Sequence, residues 1–467
     1  MKRHYPALTK NVEQTPSKPD CRSPRLPPEV IREILSWFDL TQHIDGSLQD
    51  LEVAFDLMSA SMVCTEWYMV ARAMIPDRNL TEPFDDLFRC YKIAHYGSQL
   101  QRFAELLHNA SKLGLPYCRN FATLNIWVED FIADSYDKLD EYRKTFMAFA
   151  PQDHAAQFQV LKLTRPTRLK LAVEEAPRGT PKRMVDRERF FLHLRKHCIN
   201  IRDLELSFPY RERKIDIPVV DAHLAGLVQS IKTSLSSLKV EYEPDAMTQV
   251  VLGNCTNIQE VSLSCCEGKT ANTILTGLHN LTRVTLSGLE SPGIDALLTN
   301  LAANACDRLT HLSIEKTPYR SVGQEEASKL ALALELLVSR ARRLQILNLS
   351  EVEYMNDGVL RAVAQSCHDL RFFGLSLLGD GDRVGAGVWS HDTTPWPAIR
   401  DMFLSGDRIV PRFVEQVVAV RGFDSLQTVC VSTQLGDDPQ LRETLESRGF
   451  KLEMSDTLWF CSKGLEE

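Results

Sequence analysis

Positive charge is in short supply in this 467-residue chain. Lys and Arg total 54 against 62 Asp and Glu, a formal net charge of -8. That balance argues against nucleic acid as the main ligand, because phosphate binding wants a basic face. Cysteine pairs are also missing. The 12 cysteines are scattered without any C-x-x-C, and the adjacent Cys265–Cys266 suits neither zinc nor a bridge. No apolar run approaches the roughly 18 uncharged residues of a membrane helix. Even "LALALELLVSRA" carries Glu335. The opening "MKRHYPALTK" lacks the apolar stretch of a secretory signal. The expectation is an intracellular protein, cytoplasmic or nuclear, with no membrane contact and with reduced cysteines used as small core residues.

Catalytic motifs are missing too. The chain contains no H-E-x-x-H, no G-x-S-x-G and no G-x-x-x-x-G-K-[ST]. "GDGDRVGAG", Gly379 to Gly387, starts like a calcium loop, but the twelfth position from Asp380 is His391, not glutamate. The stretch Gly379 to Trp396 reads as a long flexible loop. Cys265, Cys266 and Cys430 have no histidine or basic neighbour to lower a thiol pKa. Cys306 and Cys367 sit at helical packing positions. No enzyme, metal or cofactor is expected.

What the chain does have is order. Short pieces with apolar residues at positions one, four and six start at Phe121, Phe158, Ile201, Leu235, Ile258, Leu281, Leu309, Leu344, Leu370, Ile399 and Leu426. From Ile201 the starts are 34, 23, 23, 28, 35, 26, 29 and 27 residues apart. Helical stripes lie between them. Leu224, Leu227, Val228 and Ile231 form one, with Asp221 as N-cap. The others are Ile294–Leu297–Leu298–Leu301, Leu330–Ala333–Leu334–Leu337–Val338 and Leu360–Val363–Ala364–Cys367. A strand and helix of this size cannot bury an apolar face alone, but stacked copies can. The segment Glu174 to Arg189 is polar, with Pro and Gly, and reads as a surface insertion.

This pattern resembles the leucine-rich repeat family, in its long ribonuclease-inhibitor-like form. "DGVLRAVAQSCHDLRFFGLSLL", Asp357 to Leu378, is the best copy. The resemblance implies an α/β fold, a curved solenoid over 120–467 with a parallel concave sheet and outer helices. Residues between the strand apolar positions would face the concave side. They are small and mostly polar, with Phe403 as the lone aromatic. Glu205, Lys239, Asn348 and Phe403 are the candidate substrate contacts.

The N-terminal part is different in grain. Residues 1–24 are proline-containing and basic and read as a disordered leader. In 25–80, "LPPEVIREIL" starts at Leu26 and "SMVCTEWYMVA" ends at Ala71, with an insert from Asp39 to Asp56 between them. Both segments are amphipathic. They resemble the first and last helices of the F-box family, and 81–119 would be a helical linker. The resemblance implies docking on the Skp adaptor and, through it, on a cullin, with an unidentified target protein held by the repeats. Leu26, Pro27, Glu29, Ile31, Ile34, Val63, Cys64 and Trp67 would make or support the adaptor contact. Trp67 serves either that contact or the module's own core. The chain would be the non-catalytic receptor of a ubiquitin ligase. The competing expectation is a leucine-rich repeat scaffold or inhibitor acting outside any ligase.

Overall fold

A computed structural model of the chain describes residues 27–36, 59–60, 62, 67, 69–71, 105–113, 123–127, 162, 166–172 and 181–463, except 208–216, 245, 291, 317–323, 378–382, 386–387, 389–395, 420–424 and 456–457. It divides into two units, Met1–Asp77 and Arg78–Glu467.

In the first unit, helix α1 spans Pro28–Ser36. Pro28 opens it, where a missing amide hydrogen costs nothing. The Pro27 carbonyl accepts from the amides of Val30 (3.0 Å) and Ile31 (3.1 Å). Glu29 faces the helix dipole from the first turn. Ile31 and Leu35, one turn apart, are buried, as are Val70 and Ala71 near the end of the unit. Leu26, Val63, Cys64 and the Asp39–Asp56 insert lie outside the described residues.

The second unit is α/β, built on one 13-stranded sheet. Its first strands are β1 (Thr123–Trp127), β2 (Arg168–Ala172), β3 (Asp203–Ser207), β4 (Ser237–Glu241), β5 (Glu260–Ser264) and β6 (Arg283–Ser287). They are followed by β7 (His311–Glu315), β8 (Ile346–Ser350), β9 (Phe372–Ser376), β10 (Asp401–Ser405) and β11 (Thr428–Ser432). Each of these strands pairs in parallel with the next one in the chain. Every strand from β3 to β11 begins two residues after the start of its apolar template.

The helices between them are α2 (Pro181–His197), α3 (Ile217–Ile231), α4 (Ala246–Gly253), α5 (Gly268–Thr276), α6 (Ile294–Asn304), α7 (Gln324–Arg340) and α8 (Asp357–Ser366). From α2 to α7 each packs against its successor. Parallel sheets usually bury both faces and read as unbroken apolar runs. These strands alternate instead, with the second and fourth residues buried and the others half-buried in β4 and β5 alike. One face therefore meets the helices and the other stays open. The helical stripes fill the core as expected, with Leu227, Leu297, Leu334 and Val363 fully buried.

The far end of the sheet is closed by antiparallel strands. After α9 (Pro411–Ala419), α10 (Thr433–Gly436) and α11 (Pro439–Ser447) come β12 (Phe450–Ser455) and β13 (Leu458–Lys463). β13 pairs with both β11 and β12. Lys451 and Glu453 place charge on the edge strand, which discourages further pairing. The three-position template does not detect this hairpin.

Four other expectations are corrected. The template at Phe158 is not the second strand: Lys162 there is helical, and β2 lies at Arg168–Ala172. The segment contains L-K-L twice, and Pro166 occupies the first template position of the true copy, where a search for apolar residues passes over it. The polar stretch Glu174–Arg189 is not simply an insertion. Its second half forms α2, whose Phe190, Phe191 and Leu194 are buried. Asp221 is not an N-cap, because α3 already begins at Ile217. Between β9 and β10 the residues from Gly379 to Trp396 were expected as a flexible surface loop. Val384, Val388 and Trp396 are instead buried, with the Trp396 indole N–H donating to the Val363 carbonyl at 3.2 Å.

Candidate functional site

Two surfaces come forward. The first is on α1. Beside the buried pair Ile31 and Leu35 runs a second apolar pair one turn apart, Val30 and Ile34, and these are 41% and 39% exposed. Pro27 and Glu29 are exposed as well, and Trp67 is half-buried. Ile31 was expected to make or support the adaptor contact. At 1% exposure it is core, so its part in any contact is to support its neighbours.

The second surface is the open face of the sheet. The strand register sets Glu205, Lys239, Ser262, Thr285, Ser313, Asn348, Gly374 and Phe403 in one continuous row. All four candidate contact residues are therefore on the same line, but in three different chemical settings.

At the β2–β6 end the charges neutralise one another. Arg168 meets Asp203 at 2.7 Å, and Arg283 meets Glu260 at 3.4 Å. Glu205 binds Lys170 at 2.9 Å and Lys239 at 3.1 Å, while Lys239 also reaches Glu241 at 2.7 Å. Burial alone would raise the Glu205 carboxyl, but hydrogen bonds and charge from Lys170 and Lys239 outweigh it and hold it below the usual range. Burial would lower the Lys239 ammonium, and Glu241 and Glu205 overcome this to raise it. Glu205 and Lys239 are thus bound to each other.

In the middle the row becomes a neutral hydrogen-bond network around one carboxylate. Ser313 donates to Glu315 Oε1 at 2.7 Å, and Asn348 Nδ2 donates to the same oxygen and to Ser313 Oγ, both at 3.1 Å.

At the β8–β13 end the face turns apolar. Ile346, Phe372 and Phe403 are half-buried. Phe460 follows Phe403 by way of Cys430 and is 44% exposed. Phe403 is therefore not a lone aromatic. Phe372 heads its strand, and Phe460 is brought over by the antiparallel hairpin, so neither falls at the strand positions read from the repeat. Gly374 makes room for this cluster. A Cβ there would come within 2.5 Å of Asn348 Oδ1 and 3.1 Å of the Phe372 ring.

Beyond the strand ends a rim of carboxylates follows the loops. Burial raises Glu243, with Glu267 and Glu290 adding to the effect against its hydrogen bonds from Thr270 and the Glu267 amide. Another rim residue, Arg408, could not be anticipated from sequence. It is 5% exposed, and its guanidinium donates to the carbonyls of Glu353 (3.2 Å) and Met355 (3.3 Å).

Four buried thiols are poorly suited to nucleophilic chemistry. Burial pushes Cys198 and Cys367 up to about 12, and Cys255 and Cys461 up to about 11. Among the described residues no three His, Cys, Asp or Glu side chains converge as a metal site. None of their helices is long and apolar enough to cross a membrane. Both surfaces are suited to binding protein: an apolar helix stripe, and a sheet face graded from paired charge to aromatic.

No protein-family model matches this chain, and no significant match occurs among curated proteins.

Proposed function

We propose that this chain is the substrate receptor of a Skp-cullin-F-box ubiquitin ligase, with an F-box at its N-terminus and a leucine-rich repeat solenoid behind it. The observation that carries the reading is the apolar stripe Val30–Ile34, left open beside the buried pair Ile31 and Leu35 of the same helix. An exposed pair of aliphatic side chains next to Pro27 has the chemistry of an anchor for another protein. The run of parallel strands with one uncovered face supports the second half of the reading, a surface for a target.

The receptor acts by proximity. One surface holds the adaptor, and the other holds the target. The target's lysines then meet the ubiquitin thioester of a separate enzyme at a high effective concentration. No bond is made or broken by a residue of this chain. Such a complex works in the cytoplasm or nucleus.

Co-elution of the purified chain with a Skp adaptor tests this. Wild type is expected to bind, and the Val30→Asp/Ile34→Asp variant to lose at least tenfold in affinity, about 1.4 kcal/mol, with thermal unfolding nearly unchanged. A wild-type chain that never co-elutes leaves the scaffold or inhibitor reading in its place.

A further inference from the structure

We propose that a pocket between the C-terminal ends of α6 and α7 binds a phosphate monoester. The site is separate from the two surfaces above and does not rest on the receptor reading.

The pocket has a volume of about 480 Å³, within the range of small-molecule sites. Helix ends and the loops after them form its wall. Arg340, the last residue of α7, lines it together with Arg342 and Arg343 just beyond. These three side chains make no ion pair or hydrogen bond among the described residues. The neighbouring repeats use the equivalent position differently. In three successive repeats the residue before the apolar template bonds to the preceding loop. Asn257 donates to the Thr233 carbonyl and Asn280 to the Thr256 carbonyl, both at 2.8 Å, and Arg308 donates to Asn280 Oδ1. Arg343, ahead of Leu344, is next in that series. It leaves the ladder and lines the pocket instead.

Charge and geometry identify the ligand. Asp307 is the one carboxylate among the described residues of the wall, and it accepts from the Cys306 thiol at 3.8 Å. Ser339 donates back to its own helix, to the Leu336 carbonyl at 2.8 Å. Three guanidiniums against one carboxylate leave a surplus of two positive charges. The flanking loops carry Arg308 on one side and Asp369 on the other, and these offset each other. Glu335 is turned toward α8, where a Cβ on Gly358 would meet its Oε2 at 2.9 Å. The ends of α6 and α7 contribute about half a negative charge each, so the pocket stays positive with both counted. Guanidinium forks pair bidentately with phosphate oxygens. A monoester brings close to two negative charges at neutral pH, whereas a diester brings one. The pocket is larger than a phosphate group, and Ala302 and Ala303 give the organic part an apolar wall.

The test is calorimetric titration of the full-length chain at low salt with phenyl phosphate, and with dimethyl phosphate as the diester. Saturable binding of phenyl phosphate is expected, tighter than that of the diester and weaker as salt rises. Arg340→Gln/Arg343→Gln should weaken it roughly tenfold or more. Arg308→Gln, which removes a guanidinium already bonded to Asn280, should change it by about twofold at most. Asp307→Asn takes away the opposing charge and should tighten binding, a gain that a misfolded variant cannot give. No saturable binding, a diester bound as tightly as the monoester, or equal binding to the double arginine variant overturns the proposal. A further arm finds the source of the group. A phosphoserine peptide bound more tightly than phosphoserine itself places it on a protein, and equal binding places it on a small molecule.

Discussion

Gly406 follows β10 with φ at +112°, and a Cβ there would sit 1.9 Å from the Leu377 carbonyl oxygen. The obstacle is backbone, which cannot step aside as a side chain can. Gly406→Ala should therefore cost about 3 kcal/mol or more, seen as a lower urea midpoint at an unchanged slope. Two residues on, Arg408 satisfies two carbonyls of the loop after β8. Arg408→Met leaves both without that donor and should cost about 2–4 kcal/mol. Arg408→Lys should rescue little, because an ammonium cannot reproduce the planar fork. A lysine variant as stable as wild type would show that charge alone is what matters there.

At the scale of elements, the β2–β4 ladder predicts a pH dependence. The folded pKa of Glu205 lies below its ordinary value of 4.5. The stabilisation it supplies is present above that value and is lost as pH falls through the lower, folded pKa. Replacing Glu205 by Gln should cost about 0.5–1 kcal/mol at neutral pH. The difference in melting temperature between the two proteins should shrink below about pH 4.5 and vanish under the folded pKa. A difference that persists in acid would assign the effect to packing. The repeat strands themselves were visible in the sequence, because alternate burial forces a period of two onto each of them. The β12–β13 hairpin was not, since antiparallel edge strands carry no repeat spacing. Nor was β2, where Pro166 replaces the apolar residue expected at the head of the pattern.

For the second unit as a whole, pairing between chain neighbours makes stability nearly one-dimensional. Glu205 on β3 and Arg408 after β10 share no contact. Their substitutions should therefore add to within about 0.5 kcal/mol, as a double-mutant cycle would read. A coupling well above that would reveal a cooperativity that nearest-neighbour packing does not supply. The same layout explains why one face can be graded from paired charge at one end to aromatic at the other without disturbing the core.

The sequence by itself determined the run of strands from β3 to β11, the side of each of them that is buried, and the row in which Glu205, Lys239, Asn348 and Phe403 lie. Those features follow from local periodicity, which the chain writes residue by residue. Only the tertiary structure decided what that row does. It showed that Glu205 and Lys239 neutralise each other, and that Phe372 and Phe460 join Phe403 from outside the repeat positions. It also separated α1 into a buried stripe, Ile31 and Leu35, and an open one, Val30 and Ile34, although all four side chains are apolar. Partners across strands and helices are set by register and packing between distant segments, and no window of local sequence contains them.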